Sequence, residues 1–198
     1  MDLSKGILIA TSNRGKIKEI KHILRGVKTK SLSDVHGYGF YVEENGKTFQ
    51  DNAFIKAKAC AERFGHIALA DDSGLEVDSL QGRPGVESAR YAGPDATDEL
   101  RNQKLLSELK GVPTKERTAR FTCVVCVYDP RSNKAVFGEG SCEGLISTEP
   151  RGTNGFGYDP VFEVKGFDGK TMAELSLEEK SSVSHRARAL SDLSKKIS

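Results

Sequence analysis

Five short segments of this chain combine residue types suited to chemistry on an anionic substrate. The first is Thr11-Ser12-Asn13-Arg14-Gly15-Lys16, where an apolar run gives way to a helical pattern. Free backbone N–H groups and the positive end of a helix dipole favour an anion there, and Lys16 adds a full charge. The segment lacks the G-x-x-x-x-G-K-[ST] pattern of a Walker loop, and Ser12 or Asn13 would serve equally well as an ordinary N-cap. The second is Asp71-Asp72-Ser73-Gly74, directly after apolar residues 67–70. Neighbouring strand residues point to opposite faces, so one of the two carboxylates faces a ligand. It could hold Mg²⁺ or act as general base on water, the plainer alternative being a capped turn.

The third segment is Val42-Glu43-Glu44-Asn45-Gly46, followed by Phe49-Gln50-Asp51-Asn52 and Lys56. It offers a second metal-binding carboxylate, or simply a charged turn and a solvated helix face. In the fourth, Gly152-Thr153-Asn154-Gly155-Phe156-Gly157-Tyr158-Asp159-Pro160, glycines surround two aromatic rings. Phe156 could stack on a purine and Asp159 accept from a ring N–H, although glycine also serves a tight Ω-loop. The fifth is Lys180 with Ser184-His185-Arg186. If Ser184 caps the last helix, His185 and Arg186 sit in its first turn, where the dipole disfavours cations, and that misplacement suits a ligand. Arginine and lysine donate to purine O6 and N7.

The elements that must position these segments alternate between strand and helix. Strands are expected at 6–11, 27–32, 38–43 and 67–70, and helices at 14–24, 48–64 and 97–110. A long loop covers 82–94. Residues 117–128 and 134–146 read as a hairpin joined by Asp129-Pro130-Arg131-Ser132-Asn133, then a loop at 149–160, a strand at 161–164 and a last helix from near Ser184. That helix carries Ala187, Leu190, Leu193 and Ile197 on one face. The pattern is α/β, and the hairpin makes the sheet mixed.

With 198 residues the chain suits one domain, or one domain with two lobes around a cleft. A formal net charge of +2 lacks the basic excess of a dedicated DNA- or RNA-binding surface, and the Asp71-Asp72 pair speaks against one too. After Met1-Asp2-Leu3-Ser4-Lys5 the apolar run is too short for a signal sequence or a membrane span, so a soluble cytoplasmic protein with no membrane or nucleic-acid partner is expected. Cys123-Val124-Val125-Cys126 spells C-x-x-C, but side chains three apart on a strand face opposite ways. All four cysteines are therefore read as buried structural thiols.

Together the five segments resemble the inosine triphosphate pyrophosphatase family (XTP/dITP diphosphatases) over nearly the whole chain. The most specific stretches are Ala70-Asp71-Asp72-Ser73-Gly74-Leu75, Gly155-Phe156-Gly157-Tyr158-Asp159-Pro160 and Glu179-Lys180-Ser181 followed by Ser184-His185-Arg186. The resemblance implies an elongated mixed sheet flanked by helices, two lobes around a central cleft, a homodimer, and one nucleotide pyrophosphatase domain over 1–198. It implies hydrolysis of ITP, dITP and XTP to monophosphate and pyrophosphate. Thr11 to Lys16 would match the triphosphate loop, Asp72 the catalytic acid/base, Glu44 with Asp72 the Mg²⁺ site, Lys56 a catalytic lysine near the phosphates, and Ser73 a substrate contact. Phe156, Gly157, Tyr158, Asp159, Lys180, His185 and Arg186 would match the base pocket. Ser12 and Asn154 stand where the family often has glycine, and Asp51 where it often has Glu.

Charge then suggests a mechanism. Mg²⁺ neutralises the leaving pyrophosphate, Asp72 orients or deprotonates water, and Lys16 and Lys56 hold the phosphates. Inosine and xanthosine present an O6 acceptor where adenine presents N6–H₂, so donors such as Arg186 and His185 would be left unpaired against adenine. Rival readings are a pyrophosphatase for modified pyrimidine or methylated nucleotides, a nucleic-acid-binding module, and a nucleotide sensor without turnover.

Overall fold

The structure is a computed structural model that describes residues 6–37 and 39–197. Its strands are β1 (Ile7–Ile9), β2 (Thr29–Ser31), β3 (Ala68–Val77), β4 (Thr118–Asp129), β5 (Lys134–Ile146) and β6 (Phe162–Val164). Its helices are α1 (Arg14–Ile23), α2 (Phe49–Phe64), α3 (Asp98–Glu108), α4 (Leu177–Val183) and α5 (His185–Ile197). The strands form one sheet in the order β2-β1-β3-β4-β5-β6. β1 runs parallel to β2 and β3, and β5 antiparallel to β6, so the sheet is mixed, as expected.

The described residues divide into two compact units. The first takes the residues up to Asp72, Cys123–Gly140, and those from His185 on; the second takes Ser73–Thr122 and Ser141–Ser184. In the first unit, strand alternation sorts the core by parity. Leu8, Ala10, Ala68, Ala70, Val124 and Cys126 share one cluster with Ala53, Ala57, Cys60 and Ala61 of α2. Ile7, Ile9, Leu69, Cys123 and Val125 share another with Ile20 of α1 and Ala189, Leu190 and Leu193 of α5. Cys123 and Cys126 thus lie in different clusters, as their spacing requires, and all four cysteines are buried. The apolar face of α5 uses Ala189, whereas Ala187 is only half-buried.

Two glycines let α5 approach β5. A Cβ on Gly140 would lie 2.4 Å from both the Ala189 nitrogen and the His185 carbonyl oxygen, and one on Gly138 only 2.2 Å from the Ala189 oxygen. Backbone cannot retreat as a flexible side chain can. Gly140→Val is therefore expected to destabilise the protein by at least the ~1–3 kcal/mol typical of overpacking, read as a lower thermal midpoint.

The second unit closes its own core around Leu75, Val77, Leu105, Leu109, Phe121, Ile146, Phe162 and Met172. Phe121 and Phe162 stack at 4.6 Å between centroids.

Several boundaries differ from the sequence reading. β3 does not stop at 70 but continues to Val77, because Leu75 and Val77 resume the buried alternation. Asp71 and Asp72 are consequently inside a strand rather than in the turn after it. Strand 27–32 shortens to Thr29–Ser31, followed by a 3₁₀ turn at Leu32–Val35. No strand forms over 39–43, and Tyr38, the start of that expectation, lies outside the described residues. Residues 1–5, used above to look for a leader, also lie outside them. An extra helix, α4, precedes α5, with Ser184 ending it.

Candidate active site

The candidate residues fall into two groups, each within one unit. In the first unit the divergence of Asp71 and Asp72 follows from the parity of β3. Asp71 shares the parity of Leu69, on the side of α1 and α5, and Asp72 that of Ala70, on the side of α2. Lys16 of α1 reaches Asp71 at 3.0 Å. Arg186 of α5 donates to Asp71 through Nε at 3.0 Å and Nη2 at 2.8 Å, and through Nη1 to Glu19 of α1 at 2.5 Å. On the other side, Lys56 of α2 lies 3.0 Å from both Asp72 and Glu44, and Asn52 Nδ2 donates to Asp72 at 3.2 Å. Asn52 Oδ1 in turn accepts from the Gly46 N–H at 2.9 Å, tying the 43–46 turn to α2. Glu44 is half-buried against Lys56 while Glu43 is exposed, so Glu44 is the residue that turns inward.

The two aspartates have opposite electrostatics. Burial pushes the Asp71 carboxyl up, but Arg186, Lys16 and Lys56 together hold it well below the usual carboxylate range. Asp71 is a fixed anion. Burial also pushes Asp72 up; Lys56 and Lys16 oppose it only in part, Glu44 adds to it, and the net shift is upward. Among these groups Lys16 pairs with Asp71, Lys56 with both Asp72 and Glu44, and Arg186 with both Asp71 and Glu19. A buried carboxylate with raised proton affinity suits a base or a cation ligand. Lys56 loses charge stability to burial but gains more from Asp72, Asp71 and Glu44, and its pKa is raised. It stays an ammonium.

The Thr11–Lys16 segment forms the junction from β1 to α1. Asn13 is the N-cap, accepting from the Lys16 N–H at 3.0 Å, and Thr11 Oγ1 accepts from the Asn13 N–H at 3.2 Å. Ser12, Asn13 and Arg14 are exposed, and Thr11, Gly15 and Lys16 half-buried. Ser73 follows Asp72 on β3, half-buried.

In the second unit the 152–160 loop folds on itself. Asp159 is 3% exposed and its Oδ2 accepts from the Phe156 N–H at 2.8 Å and from Lys180 Nζ of α4 at 2.6 Å. The Lys180 ammonium also sits 4.9 Å from the centroid of the Phe156 ring, a cation–π contact. Gly155 must lack a side chain, since it has φ +82° and its Cβ would lie 1.9 Å from Asp159 Oδ2. Tyr158 is buried, and its hydroxyl donates to the Ser88 carbonyl at 2.9 Å. Asn154, at a position where the resembled family often has glycine, donates through Nδ2 to the Leu175 carbonyl.

Arg186, expected as a donor to purine O6, is 0% exposed, and its guanidinium pairs with Asp71 and Glu19. His185 is likewise buried at the start of α5. Glu19 and Asn52 were not singled out from sequence as site residues. Glu19 carried a signal, an acid adjacent to Ile20 on the apolar stripe of α1.

The Ham1 family model matches residues 7–196, and the chain belongs to that family. A dITP/XTP pyrophosphatase of Halalkalibacterium halodurans is 53% identical over 190 residues, covering 95% of this chain and 96% of that protein. The dITP/XTP pyrophosphatase of Bacillus subtilis is 52% identical over 198 residues, covering 98% of each. Among solved structures, a HAM1 protein from Coxiella burnetii superposes with a TM-score of 0.84 at 41% identity, covering 96% of this chain and 97% of that one.

Proposed function

We propose that this protein hydrolyses deaminated purine nucleoside triphosphates, namely ITP, dITP and XTP, to the monophosphate and pyrophosphate. The observation that carries the reading is the pair of oppositely tuned aspartates on β3, in a chain half identical to dITP/XTP pyrophosphatases. Asp72, whose pKa is raised, orients and deprotonates the attacking water. Lys16 and Lys56 bind phosphate oxygens, and the Thr11–Lys16 junction adds backbone N–H donors. Asp71 does not react; it holds Lys16 and Arg186 in place.

Glu44 and Asp72 would hold Mg²⁺. They share one ammonium and form no cage of three or more acidic, His or Cys ligands among the described residues. That donor set fits a metal completed by substrate phosphates and water. The ion would supply charge neutralisation to the leaving pyrophosphate. The purine would stack on Phe156, with O6 accepting from Lys180 or a loop N–H. Adenine would place N6–H₂ against those donors. A homodimer and a cytoplasmic location belong to the same reading; no described helix is long and apolar enough to cross a membrane.

Pyrophosphate release from ITP, XTP, GTP and ATP, with Mg²⁺ and with chelator, tests the reading. Metal-dependent release from ITP and XTP alone is expected; release from ATP at a similar rate would discard the base assignment, and no release at all would discard the activity. In the metal-free protein the Asp72 carboxyl is expected to take up its proton above the ordinary Asp range of about 3.9, read from its carbon chemical shift against pH.

A further inference from the structure

The base loop is anchored by a helix that no part of the mechanism above uses. Both backbone groups of Gly157, between Phe156 and Tyr158, are taken by α3. The Gly157 N–H donates to Asp98 Oδ2 at 2.6 Å, and its carbonyl accepts from Asn102 Nδ2 at 3.0 Å. Residues four apart share one helix face, so the two side chains act as a two-pronged clasp. Asn102 is 4% exposed, which protects its bond from water.

Asp98 also lies in the first turn of α3, where any acid is favoured by the dipole. Capping does not require it, however: Thr97 Oγ1 accepts from the Leu100 N–H. The second carboxylate oxygen of Asp98 pairs with Arg101, which in turn donates to the Ala89 carbonyl at 3.0 Å. The adjacent Ser88 carbonyl accepts from Tyr158. The clasp is therefore braced against the 88–89 segment from two sides. Gly157 has φ +65° and no side chain of its own, so nothing else on that residue can fasten it.

We propose that Asp98 and Asn102 are positioning residues that set the Phe156 ring for the nucleotide base, acting through the Gly157 backbone. This rests on Phe156 meeting the base, as proposed above. It predicts that the clasp governs recognition of the base and not chemistry on the phosphates.

The test uses Asp98→Ala and Asn102→Ala, with Asp98→Asn as the variant that keeps an acceptor for the Gly157 N–H. Three quantities are measured in the full chain: hydrogen exchange at the Gly157 amide, KM and kcat for ITP, and hydrolysis of the base-free methyl triphosphate. Each alanine variant is expected to raise KM for ITP about tenfold, the effect of one lost hydrogen bond, with kcat and methyl triphosphate hydrolysis within about twofold of wild type. Asp98→Ala should also speed exchange at Gly157, and Asp98→Asn should restore both protection and KM. Unchanged KM, or equal loss on the base-free substrate, would overturn the proposal. If the alanine variants do not fold, Asp98→Asn decides: a KM far above wild type overturns it. If the wild type releases no pyrophosphate from ITP, the activity reading fails, and Gly157 exchange in Asp98→Ala still tests the clasp.

Discussion

Asp72→Asn is expected to lower turnover of ITP and XTP by roughly 10²–10⁴-fold, the usual contribution of a positioned general base. The amide keeps the shape of the side chain and its contact with Lys56, but it cannot accept a proton. It is also a weaker metal ligand than a carboxylate. Fold should survive, because the buried Asp72 carboxylate is held ionised against its environment and the amide removes that cost. Thermal melting beside steady-state kinetics separates the two effects: the midpoint holds or rises while kcat collapses. A variant that retains more than about a tenth of wild-type turnover would move the base to another residue.

The second large effect concerns Arg186. Its side chain is wholly buried between Asp71 and Glu19, and those contacts raise its own pKa further. Arg186→Met removes the cation that pairs with both Glu19 and Asp71. Breaking a buried pair in this way costs about 3–5 kcal/mol. Against a total stability on the order of 5–15 kcal/mol, that is a large share. The acid response should change too. The folded pKa of Asp71 lies below its unfolded value of about 3.9. Its contribution is thus complete at neutral pH and lost as pH falls below about 5 toward the depressed folded value. In Arg186→Met the Asp71 carboxyl returns toward its ordinary range, and the stability curve flattens over that acid window. Urea melts at pH 7 and pH 4 measure both features. A variant as stable as wild type but with purine selectivity lost would reinstate Arg186 as a base contact.

Much of the architecture was legible in the residues because it rests on local rules. The α1 and α2 boundaries follow from an N-cap at Asn13, the Thr48–Asp51 capping box and Gly65. The opposite faces of Cys123 and Cys126, and of Asp71 and Asp72, follow from strand alternation alone. What sequence reading lost were cases where tertiary context overrides local preference. Two adjacent aspartates resemble a turn until cations from α1, α2 and α5 compensate them within a strand. The α4 helix was missed although Ser176 and Glu179 spell its capping box, since seven residues are too few to show a period. Arg186 shows a different limit. A motif can say that a cation belongs at a position, but only packing says whether it faces a ligand or an acid twenty or more positions away in the chain. Asp98 and Asn102 carry no motif at all, because what they bind is backbone.

The proposed activity cuts between the α- and β-phosphates of a deaminated purine nucleotide. Phosphorus NMR of dITP and of dATP, each incubated with the wild-type protein and Mg²⁺, tests it most directly. One pyrophosphate and one dIMP are expected per dITP consumed, with dATP intact over the same interval. Inorganic phosphate and dIDP as products, or consumption of dATP at a matching rate, would contradict it.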